Sequence, residues 1–213
     1  MTFIELCRAY RAEIGIPGNG PVTVQNQIGE LARVVLDIQD AEQDIKRQWQ
    51  DWDFLWSTFS TTCVIGSPRL STLKPSNYRR YDLDNVWIDK GTVNATQLEF
   101  IPYNQWKNNQ AIGIVPDAAP SEFTVLPNGE IRVYPNPVAQ NLLTTNYWIK
   151  ATRLSSDADI SVIPEEYHRI IIVRAKMIYA EREDAPEIMA GSSAEYTTLL
   201  TNMEADYLPA QAD

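Results

Sequence analysis

The sequence has very little of the chemistry that catalysis and metal binding require. Its 213 residues include one histidine, His168, and two cysteines, Cys7 and Cys63. Any histidine-dependent nucleophile would have to use His168, which we expect to be solvated or to cap its helix, and no nucleophile elbow surrounds a serine. Two distant cysteines form neither a disulfide framework nor a zinc motif, so buried free thiols are expected. The sequence predicts no catalytic residue, no metal and no cofactor.

Long apolar runs and phosphate-binding loops are also missing from the sequence. No apolar stretch approaches the length of a membrane span, so no membrane partner is expected. The start, MTFIELCRAYRAE, lacks the basic opening and the uninterrupted apolar stretch of a signal peptide. The glycines of residues 15–20 (GIPGNG) are not followed by a lysine, unlike a phosphate-binding loop. These features favour a protein that is made and assembled in the cytoplasm.

Positive charge is scarce at both ends of the chain. The net charge is −10: residues 1–60 have five Lys/Arg and nine Asp/Glu, residues 61–159 have nine of each, and residues 160–213 have four and ten. Acidic ends repel DNA at long range, which argues against a protein that reads DNA sequence. An acidic surface is equally a common means of staying soluble.

Helical spacing is strongest between Gln27 and Asp53. Apolar residues recur every three or four positions there, at Ile28, Leu31, Val35, Ile38, Ala41, Ile45, Trp49 and Trp52. Asp37 falls on the polar face of the same pattern. The spacing predicts one helix of about seven turns. Its two terminal tryptophans suggest a core helix whose end is held under a sheet.

Local signals predict further elements on either side of a β-rich stretch. Thr2–Ile14 begins with the capping box T-F-I-E and ends at a glycine, which predicts a first helix. Residues 55–155 are rich in Thr, Val and aromatic residues, which favour strands. Asn128-Gly129 lies between two such runs and predicts a hairpin.

Three shorter predictions concern helices after the first β-rich runs. The segment Tyr103–Trp106 follows a proline and predicts one helical turn. Helix resumes from Pro164 to about Asp184, and a last helix runs from near Ser193 to Tyr207. The connection Glu187–Ser193 contains Gly and Ser and is expected to be mobile before assembly.

The order of these elements predicts an α+β fold. An antiparallel bundle of about four helices carries an inserted antiparallel β module that resembles a sandwich or barrel. The predicted domains are a helical bundle domain, formed by residues 1–54 and 160–213, and an inserted β-rich domain of residues 55–159.

Two other functions remain open on residue chemistry alone. Trp87, Trp106 and Trp148 would suit a carbohydrate-binding or receptor-binding module if they stack on sugars, although tryptophans more often fill a small β core. A cell-wall hydrolase would need two carboxylates across a cleft. With 28 Asp/Glu in the chain some pair always exists, so the sequence cannot select one.

Five segments, taken in order, resemble the head–tail adaptor proteins of tailed bacteriophages, including tail tubular protein A and portal-gatekeeper adaptors. They are residues 5–16 (ELCRAYRAEIGI), 23–55, 100–106 (FIPYNQW), 123–137 (FTVLPNGEIRVYPNP) and 163–184. The resemblance implies a structural protein of the virion neck, a ring of typically twelve copies between portal and tail. It also implies that genomic DNA passes through the ring without sequence-specific binding and that the next tail or nozzle protein docks below it.

The resemblance also assigns roles to two sets of residues. The C-terminal segment of such adaptors commonly contacts the portal, which makes Tyr196, Leu200, Met203, Tyr207 and Leu208 the candidate docking residues. The tryptophan cluster of Trp49 and Trp52, with Phe54, becomes a candidate for the junction between the bundle and the β insertion, or for a contact between subunits.

Overall fold

The computed structural model describes residues 1–18, 20–112 and 115–208, and the chain divides into two compact units. The helical unit comprises Met1–Leu55 with Ala151–Asp213, and the β unit comprises Trp56–Lys150. The helical unit has ten Lys/Arg against 21 Asp/Glu, a net charge of −11, whereas the β unit has eight against seven, a net charge of +1. The domain boundaries given above stay a prediction.

The described residues form five α-helices and seven strands. The helices are α1 (Phe3–Glu13), α2 (Gly29–Gln48), α3 (Tyr103–Ile112), α4 (His168–Arg182) and α5 (Pro186–Tyr207). The strands are β1 (Trp56–Thr62), β2 (Tyr78–Ile88), β3 (Thr96–Gln97), β4 (Glu99–Phe100), β5 (Glu122–Val125), β6 (Ile131–Tyr134) and β7 (Leu142–Ile149). Two 3₁₀ turns, Asp53–Leu55 and Glu165–Tyr167, precede β1 and α4. The predicted α+β class is confirmed.

Two sheets share one apolar core in the β unit. The first sheet has the strand order β1-β7-β2-β3 with antiparallel pairs, and the second has the order β4-β5-β6. The shared core contains side chains from both sheets: Phe59, Val86, Ile88, Leu143, Phe123, Ile131 and Val133. A departure from the predicted antiparallel pattern is the parallel pair β4–β5. It arises because α3, which is ten residues long instead of the predicted single turn, lies in the crossover between the two strands.

Two local predictions are confirmed in detail. Thr2 caps α1, since its hydroxyl accepts the Glu5 N–H while the Glu5 carboxylate accepts the Thr2 N–H at 2.8 Å. β5 and β6 form the predicted hairpin, with Val125 opposite Ile131. Gly129 in its loop has φ = 83°, and a Cβ at this position would lie 2.6 Å from the ring of Tyr78.

The long helix of the sequence is shorter than predicted and ends at Gln48. Trp49 is extended (φ −126°, ψ 144°), and the chain turns back so that the Trp52 indole N–H donates to the Ile45 carbonyl oxygen at 3.2 Å. The last four carbonyls of a helix have no partner within it, so this indole satisfies one of them. The apolar period continues past the helix end because Trp52 packs under that end rather than extending it.

The last helix is longer than predicted and begins at Pro186. Proline suits the first turn of a helix because that turn has unpaired N–H groups. Asp184 with φ = 50° reverses the chain between α4 and α5. The segment Glu187–Ser193, predicted as a mobile connection, is therefore helical, and a Cβ at Gly191 would lie more than 4 Å from its neighbours among the described residues.

Asp37, placed on the polar face by the sequence pattern, is instead buried in the helical unit. Only 4% of it is exposed. It accepts the Tyr10 hydroxyl at 2.6 Å and two N–H groups of the Arg182 guanidinium at 2.7 and 3.0 Å. A buried carboxylate is tolerated when it is paired and hydrogen-bonded. This cluster ties α1, α2 and α4 together.

Candidate docking site

The predicted tryptophan cluster contacts the C-terminal helix. The Trp49 indole N–H donates to the Glu204 carboxylate of α5 at 2.6 Å. Trp52 is fully buried and stacks on Phe54, with ring centroids 5.2 Å apart. Phe54 in turn meets Tyr207 edge-on at 6.0 Å. The two sets of candidate residues, assigned separately from the sequence, therefore lie together in the helical unit.

Two acidic–tyrosine pairs exchange hydrogen bonds at the end of α5. The Tyr167 hydroxyl donates to Asp206, and the Tyr207 hydroxyl donates to Glu166. The two tyrosine rings also meet edge-on, with centroids 5.9 Å apart. The bond to Asp206 raises the pKa of Tyr167 to about 12, and the bond from Tyr207 lowers the pKa of Glu166. We call these four residues the tyrosine–carboxylate latch.

Sequence reasoning missed the latch, although the chain carries a signal for it. Glu166-Tyr167 and Asp206-Tyr207 are the same acidic–tyrosine dipeptide, placed at the start of one helix and the end of the next. Only the fold shows that each tyrosine reaches the carboxylate of the other pair.

The five predicted portal-docking residues lie on the inner side of α5 or at its end. Met203 is fully buried, and Tyr196, Leu200, Tyr207 and Leu208 are half-buried. The Tyr196 hydroxyl donates to the side-chain oxygen of Gln48 at 3.0 Å. These side chains hold α5 against the bundle in the structure, and their role in docking stays a prediction.

The exposed side of α5 carries small side chains. It is lined by Ala190, Gly191, Ala194, Thr197, Thr198, Thr201 and Ala205. The threonine hydroxyls donate to carbonyl oxygens one turn earlier in the same helix, with distances from 2.9 to 3.1 Å. These seven exposed positions of α5 carry no charged side chain, and exposed Glu187 lies one turn before Gly191.

The single histidine and the two cysteines are buried and have structural rather than catalytic surroundings. His168 is buried rather than solvated, burial lowers its pKa, and its Nε2 donates to the Ile163 carbonyl oxygen at 2.9 Å. Cys7 and Cys63 are buried free thiols, as predicted, and burial raises their pKa values to about 12 and about 11. Within residues 1–18, 20–112 and 115–208, no group of three or more His, Cys, Asp or Glu could hold a metal ion.

Each of the three tryptophans considered for sugar stacking has another side chain close to its ring. The Arg80 guanidinium covers the Trp148 ring at 4.0 Å, and Lys90 lies 6.0 Å from the centroid of Trp87. Trp106 belongs to α3, where it stacks on Tyr103 at 6.2 Å. A sugar ring needs an uncovered aromatic face, and a guanidinium already covers Trp148.

A family model described as the SU10 adaptor protein matches residues 1–212. The chain belongs to the SU10 adaptor protein family. This is a family of phage head–tail adaptors, which are structural proteins and not enzymes. Membership implies a virion component at the junction of portal and tail that assembles with portal and tail proteins and with further copies. No curated protein sequence matches the chain. Among the described residues, no helix is long and apolar enough to cross a membrane.

Proposed function

We propose that this adaptor forms a ring of twelve copies between the portal and the tail, extends the DNA channel and docks the next tail component. The match of one adaptor family over residues 1–212 carries the proposal. Assembly takes place in the host cytoplasm, and genomic DNA passes through the ring during ejection without being read. A net charge of −10 suits a conduit, because an acidic wall does not hold the phosphate backbone.

The C-terminal helix is the proposed portal contact. Tyr196, Leu200, Met203, Tyr207 and Leu208 remain its candidate residues. Because Met203 is fully buried, direct contact with that side chain requires the last turns of α5 to separate from the bundle. Trp49, Trp52 and Phe54 remain the candidate junction between bundle and β insertion.

Electron cryomicroscopy of the particle neck tests the proposal. The expected map shows twelve copies of the chain on the particle axis, directly below the portal and surrounding the channel. Absence of the chain from the neck, or a position away from the axis, would overturn the proposal. We expect the protein purified alone to be a monomer or a weak oligomer by mass photometry, since ring contacts are completed on the portal.

A further inference from the structure

β1 is an unusually open edge for the first sheet of the β unit. The strand order β1-β7-β2-β3 places this seven-residue strand at the border of the sheet. The other edge strands are protected: β3 and β4 have two residues each, and the Val133 N–H of β6 donates to the Pro68 carbonyl oxygen at 3.0 Å. Short or covered edges do not pair with other chains.

The hydrogen bonds around β1 show which of its backbone groups point away from the sheet. The Cys63 N–H donates to the Asn141 oxygen on the β7 side at 2.9 Å, so odd-numbered positions of β1 face β7. Even-numbered positions face outward, and at Thr62 the outward carbonyl accepts the Ser71 N–H at 2.8 Å. In the described part of the chain, the outward N–H and C=O groups of Thr58 and Ser60 have no backbone partner, and both residues are exposed.

This edge lacks the usual features that prevent a strand from pairing. The sequence of β1, WSTFSTT, contains no charged residue and no proline. Its register with β7 runs without interruption over seven positions, whereas the register of β2 with β7 shifts twice. A charge, a proline or a bulge on an edge strand is the common protection against added strands. An unprotected, regular edge is therefore a ready template for one more strand.

We propose that the edge of β1 around Thr58 and Ser60 receives an extended segment of the tail protein that docks below the ring, as a fifth strand of the sheet. A row of outward N–H and C=O groups at strand spacing is satisfied best by another extended backbone. This inference rests on the proposed function, because it takes the tail-side partner from it. The portal-side candidates all lie in the helical unit, which leaves the β unit for the other partner.

The two faces of the sheet define the chemistry of the incoming segment. On the outer face, the Thr58 hydroxyl donates to Asn146 at 3.1 Å and the Ser60 hydroxyl lies 3.3 Å from that of Thr144. On the inner face, Phe59 belongs to the apolar core and is 8% exposed. A matching segment alternates Ser or Thr with an apolar residue. Ser71 blocks the edge beyond Thr62, so the new strand is short.

A proline substitution tests the edge with a matched control. Thr58→Pro removes an outward N–H and places the proline ring where the new strand would lie, and proline is tolerated on an edge whose N–H faces solvent. Thr58→Ser is the conservative variant, because it keeps both the N–H and the hydroxyl that donates to Asn146. Phage deprived of their own adaptor are supplied with either variant, and tailed particles are counted by electron microscopy. We expect Thr58→Pro to reduce them by about tenfold or more, the effect of losing roughly 1.4 kcal/mol of docking energy, and Thr58→Ser to restore tail attachment.

The state of the neck separates the possible outcomes. With Thr58→Pro we expect heads that carry the adaptor on the portal but lack tails. Normal tail attachment would overturn the inference. A folded variant, as judged by circular dichroism, that is missing from the portal would also overturn it, because the edge would then serve the portal or a second copy. If the original protein itself is absent from the neck, the proposed function fails instead.

Hydrogen exchange provides a second readout that does not depend on the proline variant folding. In the free protein the amides of Thr58 and Ser60 should exchange rapidly, while that of Phe59 is protected by β7. In isolated tailed necks, mass spectrometry with residue-level fragmentation should show the amides of Thr58 and Ser60 slowed by at least about a hundredfold. Unchanged exchange at these two amides in tailed necks would refute the added strand.

Discussion

Removal of the Trp52 side chain should destabilise the helical unit far more than removal of its neighbour Trp49. Trp52 is fully buried, stacks on Phe54 and satisfies the Ile45 carbonyl, whereas Trp49 is 43% exposed. Truncation of a buried Trp to Ala costs about 3–5 kcal/mol. Trp52→Phe keeps most of the apolar contact but leaves the Ile45 carbonyl without its donor, which costs about 1–3 kcal/mol.

Urea unfolding followed by circular dichroism at 222 nm measures these differences, because that signal comes mainly from helices. Trp49→Ala is the control: it removes an indole and the bond to Glu204 at a largely exposed site, and it should cost about 1 kcal/mol or less. In a chain of this size each kcal/mol also lowers the melting temperature by about 2–4 °C. Equal losses for Trp49→Ala and Trp52→Ala would refute the assignment of Trp52 as the cap under α2.

Three further predictions concern single sites. Asp37→Asn should lower the free energy of unfolding by about 1–3 kcal/mol, since it weakens the hydrogen bonds that the buried Asp37 carboxylate accepts from the partly exposed Arg182 guanidinium. A loss too small to measure by urea titration would contradict this. Gly129→Ala should lower the free energy of unfolding more than Gly66→Ala does. Both glycines have positive φ, but among the described residues a Cβ meets a neighbouring ring at Gly129 and no neighbour within 4 Å at Gly66. Equal melting temperatures of the two variants would contradict this. Because burial lowers the pKa of His168, the unfolded state binds a proton there more readily than the folded state, and stability should fall as the pH drops below about 6.5. Thermal melts at pH 7.5 and 5.5 should therefore show a smaller drop in melting temperature for His168→Gln than for the original protein. An equal drop for both proteins would contradict this.

Elements with local signals could be predicted from the sequence. The cap of α1 needs only Thr2 and Glu5, three residues apart, and the hairpin needs only Asn128-Gly129 between two β-rich runs. In both cases the hydrogen bonds that define the element join residues close in the chain. The capping box and the turn therefore carry the information themselves.

Elements whose ends depend on distant partners could not be predicted. The apolar period from Ile28 to Trp52 is the same whether Trp52 extends the helix or folds beneath its end, so the period alone does not give the last helical residue. Asp37 lies at a polar position of the pattern, and it is buried because Arg182, 145 positions away, reaches it. The hydrogen bond from the Trp49 indole to Glu204 joins residues that are 155 positions apart in the chain. Amphipathic spacing gives the orientation of a helix but not the polar partners that change which positions are buried.

The buried position of Met203 decides between two modes of portal docking. Exposing this side chain costs about 1.5–3 kcal/mol, a loss of about tenfold to a hundredfold in affinity, and opening the latch adds to that. Docking on the exposed side of α5 has no such cost, and the two modes predict opposite effects of two variants. If the closed unit docks, Thr201→Arg should weaken binding to purified portal by about tenfold or more, because a long charged side chain prevents close approach, whereas Met203→Ala should lower the melting temperature yet leave portal binding unchanged. The proposed candidates predict the reverse: Met203→Ala weakens portal binding and Thr201→Arg leaves it unchanged, because the last turns of α5 leave the bundle before docking. A portal-binding titration of both variants distinguishes the two modes.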